Sequence, residues 1–168
     1  MAERGLQAGI ERFVDRVGQA VSWLSLVIVA LMSVNVVMRY LFSVGSVWAQ
    51  ELEWHLLVPL ILFGSSYALR HGELVRVDIV YGGFSPRAKV MVDLLSSLLV
   101  IAISALFIWF SVHYVQQAYV IDEGSPDPGG LPHRYLLKAL LPIGFALLLA
   151  QGIAGALGSL EKLRRGAP

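Results

Sequence analysis

Residues 94–121 read LLSSLLVIAISALFIWFSVHYVQQAYVI, 28 positions without Asp, Glu, Lys or Arg. At about 1.5 Å per residue, a helix of that length outspans the roughly 30 Å hydrocarbon core of a bilayer. Three more stretches behave alike: 17–38 and 139–160, with 22 residues each, and 54–69 with 16, the last belonging to a helix that begins near Val47. Together they explain the composition. Of 168 residues 57% are hydrophobic and only 15% charged, with a mean hydropathy of +0.69. Soluble domains carry about a quarter charged residues. The sequence predicts an all-α integral membrane protein, a single membrane domain over 1–168. Its four transmembrane helices are expected at about 17–39, 47–70, 86–121 and 132–162.

The first run is too long for the apolar core of a signal peptide, and Arg39-Tyr40 follows it rather than a small-residue cleavage site. Before it, Leu6, Ile10, Phe13, Val14 and Val17 recur at helical spacing opposite Arg4, Glu11, Arg12 and Arg16. That pattern predicts an amphipathic N-terminal extension at the membrane surface. Lys and Arg set the orientation. Ten of the 13 fall in the N-terminus, the second loop and the tail, and three in the first and third loops. Both termini are therefore expected in the cytoplasm, with VWAQELEW (47–54) and DEGSPDPGGLPHR (122–134) outside. Net charge is +1, which offers nucleic acid no field, and without cysteine there are no disulfides, thiolates or Cys-based metal sites.

Glu51 and Glu53 stand between Trp48 and Trp54. Two positions apart on a helix, the acids point about 200° away from each other, so they cannot share one metal or one proton. The tryptophans suit the aromatic belt at headgroup level. Arg39 closes the first helix on the same side, and an ion pair with Glu51 or Glu53 is expected to lock helices one and two. His55 and His113 raise a bis-histidine haem, but they lie about two turns apart in depth; the simpler reading is hydrogen bonding at helix contacts. Asn35 needs an interhelical partner or lines a polar path. Ser97, Ser104 and Ser111 recur every seven residues, and Gly144, Gly152, Gly155, Gly158 and Ser159 stripe the last helix; both read as packing seams. Ser85-Pro86 reads as a helix start, Pro132 as the opening of the fourth helix, and Pro59 and Pro142 as possible kinks. No file of charges crosses the midplane and no internal repeat is visible, which favours a scaffold or partner subunit over a pump. In the third loop, prolines hold Asp122, Glu123 and Asp127 outward near Arg134 and Lys138, a surface suited to docking a soluble partner.

Taken in order, MRYLF (38–42), WAQELEW (48–54), FGSSYALRHGELVRVDIVY (63–81), SPRAKVMVDLL (85–95) and EGSPDPGGLPHRYLLKALLPIGF (123–145) resemble the small membrane subunit (DctQ-like) of tripartite ATP-independent periplasmic (TRAP) transporters. The last segment is similar to the mannitol, chloroaromatic and 2-oxoacid subgroup. The resemblance covers about residues 15–160; one departure is Leu74, where the family often has His. It implies no enzyme and no cofactor, but a scaffold subunit of a sodium-coupled, binding-protein-dependent importer of an organic acid in the bacterial inner membrane. The implied partners are a large elevator-type subunit, joined in a heterodimer, a periplasmic substrate-binding protein and membrane lipid. It also makes Arg39, Trp48, Glu51, Glu53, Trp54, Arg70, Arg76 and Asp78 structural or interface positions. Two alternatives stand beside it. One is a four-helix membrane enzyme with a cofactor pocket at Arg76, Arg87 and Lys89. The other is a haem-bearing membrane electron carrier.

Overall fold

The computed structural model describes residues 2–73 and 81–166, with side chains from Gly5 onward. Arg76, Asp78 and Leu74 lie outside the described residues. Among the described residues the fold is built on four long helices: α1 (Ala2–Phe42), α2 (Val47–His71), α3 (Pro86–Val120) and α4 (Arg134–Arg164). All four are long and apolar enough to cross a membrane.

Local signals set the helix ends. Ser85 caps α3, its Oγ accepting from the Ala88 N–H at 3.3 Å, with Pro86 at the first position. Gly72, at φ 72°, closes α2; its N–H donates to Leu69 O and that of Glu73 to Ala68 O. The same paired closure ends α3, with Asp122 at φ 46° in the left-handed position. Helix α4 opens at Arg134, two residues past Pro132, with His133 at φ 58° as its N-cap. Pro59 and Pro142 sit inside α2 and α4 without ending either.

The N-terminal extension does not turn off as a separate segment. Helix α1 runs unbroken for 41 residues, about 60 Å, so its first turns reach past a single bilayer crossing. They stay attached because their polar face meets the far end of α2. Asp15 pairs with Arg70 at 2.5 Å and with His71 at 3.1 Å, while Val14 is fully buried.

Helix α4 is the hub: α3 packs along it, and the α1–α2 hairpin packs on its other side. Small residues permit this. Ser104 and Ser111 are buried on α3, the heptad ends in buried Ala118, and Ser97 sits against Gly155, whose Cβ would stand 2.8 Å from the hydroxyl. Gly144 meets Leu62 of α2, and Gly18 of α1 meets the Tyr67 ring. Close backbone approach replaces a large aliphatic core, as expected where lipid tails compete equally for apolar surface. Phe107 and Phe145 stack at 4.7 Å across the α3–α4 seam. The outward faces of α1 and α3 are lined by exposed Trp23, Leu26, Leu98, Phe110 and Trp109, which suits lipid or another membrane protein.

Candidate functional site

Glu51 lies one turn into α2 and is only 2% exposed. The 122–133 loop folds over it. Its Oε1 accepts from the Ser125 hydroxyl in a short contact and from Arg134 Nη2 at 3.1 Å; its Oε2 accepts from the Leu131 N–H at 2.6 Å. One carboxylate thus gathers the loop, the start of α4 and the start of α2 into a single knot.

The loop is prepared for this. Asp127-Pro128-Gly129-Gly130 forms a turn closed by the Gly130 N–H to Asp127 O at 3.0 Å, with Pro128 second and Gly129 third at φ 80°. Those are the residues a type II turn requires. Gly130 must lack a side chain for another reason: a Cβ there would stand 2.7 Å from Glu51 Oε2. Ser125 N–H donates to Leu131 O at 3.1 Å, and Arg134 N–H to Glu123 O at 2.7 Å, so the loop's two limbs are tied together. Lys138 meets Glu123 at 2.5 Å and lies 3.8 Å over the Tyr114 ring. Tyr119 and Tyr135 close the edge at 5.2 Å.

The expected ion pair between Arg39 and Glu51 or Glu53 is not formed. Glu51 takes Arg134 instead, Glu53 Oε1 accepts from Asn35 Nδ2 at 3.2 Å, and Arg39 is exposed without an ion pair among the described residues. Helices α1 and α2 are therefore joined at this end by an amide–carboxylate bond, with Asn35 7% exposed. Both histidines turn back on their own helices: His55 Nδ1–H donates to Glu51 O at 2.7 Å and His113 Nδ1–H to Trp109 O at 2.9 Å. Trp48 and Trp54 are exposed, as belt residues should be. Of the proposed docking residues, Asp122 and Asp127 face outward, Asp122 meeting His133 at 3.2 Å; Glu123 and Arg134 are tied inward. Arg70 belongs to the opposite end, in the Asp15 cluster.

The sequence reading placed Arg134 and Lys138 near the loop acids but did not pair Arg134 with Glu51 or Lys138 with Glu123. A signal was present. Both lie in the first turns of α4, where the helix dipole disfavours cations. Two cations at a positive helix end need acids, and Glu51 and Glu123 supply them.

This arrangement ties three segments of the chain together. Each Glu51 oxygen already accepts hydrogen bonds, and among the described residues no three His, Asp or Glu side chains group as a metal site. Residues 28–162 match the family model of the DctQ component of tripartite ATP-independent periplasmic transporters. The ectoine TRAP transporter small permease protein TeaB of Halomonas elongata is 24% identical over 168 residues, covering 95% of this chain and 86% of that protein.

Proposed function

Since the chain belongs to the DctQ family, the small permease subunits of TRAP transporters, and is a multi-pass transporter component rather than an enzyme, we propose that it is the static scaffold of a sodium-coupled importer of an organic acid. It holds a large elevator-type subunit in the bacterial inner membrane, both of its own termini facing the cytoplasm. A periplasmic binding protein delivers the substrate to the face carrying the 122–133 loop. The relative named for ectoine supports a small organic solute as cargo; the binding protein and the large subunit select it.

One observation carries the scaffold reading. The ion pairs lie at the two ends of the helices, at Glu51–Arg134 and at Asp15–Arg70. Between them the buried polar side chains among the described residues, Ser66, Ser104, Ser111 and Gln151, are uncharged. Such a frame resists deformation and offers an organic anion no counter-charge at mid-length. Calorimetry of the isolated subunit with the operon's own substrate should give no heat beyond dilution. A saturable, stoichiometric signal would overturn the scaffold reading.

A further inference from the structure

A long groove runs between α4, the first turns of α1 and Phe63 of α2. It encloses about 780 Å³, and every residue lining it is apolar or glycine. On α4 it begins at Ile143, nine residues from Arg134 at the Glu51 knot. On α1 it ends at Gly5 and Leu6. Gln7 lies against Gly158, so that end is level with the last turns of α4. From Ile143 to Gly158 is 15 residues, about 22 Å of helix. One leaflet is as deep, being half of a roughly 40–45 Å bilayer with its headgroups.

The margin of this groove is cationic. Arg12 and Arg16 follow Gly9 and Phe13, both lining residues, by three positions, so they stand beside them on the helix surface. Helical side chains lean toward the N-terminus, which carries both guanidiniums toward the Gly5 end. Arg12 already folds that way, its Nε–H donating to Ala8 O at 3.1 Å. Gly5 and Gly9 keep the approach open, since a Cβ on either would meet nothing within 4 Å. Both arginines are exposed, and neither has an ion pair among the described residues. The acids of the same stretch are spent elsewhere. Asp15 pairs with Arg70 at 2.5 Å and His71 at 3.1 Å; Glu11 lies 4.0 Å from Arg70 and accepts from Gln7 at 2.9 Å.

We propose that the groove holds an anionic phospholipid, phosphatidylglycerol, from the leaflet on the side of the two termini. One acyl chain lies along Phe63, Ala146 and Phe13, and the phosphate meets Arg12 and Arg16. An apolar slot one leaflet deep, with free cations only near its surface end, matches an amphiphile with an anionic head. A zwitterionic headgroup would bring its own cation to two arginines. A transmembrane helix of another protein would run on past Ile143 into the other leaflet, where the groove has stopped. The lipid braces the long first helix against α4. The proposal requires only that the helices cross a membrane, so its outcome does not bear on transport.

The test is native mass spectrometry of the full chain released from nanodiscs holding equal phosphatidylglycerol, phosphatidylethanolamine and phosphatidylcholine. Phosphatidylglycerol should be retained selectively. Arg12→Gln and Arg16→Gln, both at exposed positions, should each lower that preference about fivefold, as expected for one cation near an anionic lipid surface. Ala146→Phe, at an exposed position on the groove wall, should fill the slot and reduce retention of every lipid. Soluble glycerol phosphate at equal concentration should not displace the lipid. Equal retention of all three lipids, a preference unchanged by the two arginine changes, retention unchanged by Ala146→Phe, or ready displacement by glycerol phosphate would each overturn the assignment. So would loss of the lipid on adding the large subunit, which would give the groove to that protein.

Discussion

The Glu51 carboxylate, almost fully buried, is satisfied by residues 74, 80 and 83 positions away. Removing one partner of such a pair leaves the other charged and unmatched, which is costlier than removing both. Glu51→Ala should therefore destabilise the chain by about 3 kcal/mol, and Arg134→Met, being partly exposed, by less. The double variant should recover about 1 kcal/mol or more of their sum, read by thermal unfolding in detergent. Strict additivity would mean that the two groups do not hold each other. Arg39→Ala, at an exposed position with no ion pair among the described residues, should shift the chain's own unfolding by no more than about 0.5 kcal/mol. At this scale the sequence showed that Glu51 mattered but not to what. Arg39 was the near cation on the same side; the true partner becomes adjacent only once the loop folds back.

Among the elements, the helices were legible nearly throughout, because a charge-free run of about 20 residues has few other fates in a membrane protein. The continuation of α1 to Ala2 was less so. Its cause is a long-range cluster of Asp15 with Arg70 and His71, which no local pattern reveals. The serine heptad on α3 proved to be the α4 seam, since only small side chains let the backbones meet. Three loop glycines separate the possible roles of that residue. Gly124→Ala meets nothing within 4 Å and should be neutral; Gly129→Ala strains a turn at φ 80°; Gly130→Ala pushes a methyl group into the Glu51 carboxylate. Melting temperatures should fall in that order, with Gly130→Ala costing about 1–3 kcal/mol. An equal effect of all three would refute the turn-and-knot account. Gly18→Ala, which drives a Cβ into the Tyr67 ring, should loosen the α1–α2 hairpin by a similar amount.

For the whole molecule, the rigid loop presents Asp122 and Asp127 outward while Glu123 is spent on Lys138. If the loop steers a soluble partner, neutralising Asp122 and Asp127 should slow uptake at limiting binding protein and low salt. The deficit should shrink as salt shortens the screening length toward 10 Å and below. Uptake equal to the parent at low salt would reduce the loop to a connector. The family was legible from the order of its motifs. The scaffold's shape was not, because it depends on which helix is the hub. The most direct test of the scaffold role is uptake into proteoliposomes with an imposed sodium gradient. Liposomes carrying the large subunit and supplied with binding protein are compared with and without this chain. The account predicts uptake only when all three proteins are present, and none from this chain with binding protein alone. Undiminished uptake without this chain, or uptake by this chain without the large subunit, would contradict it.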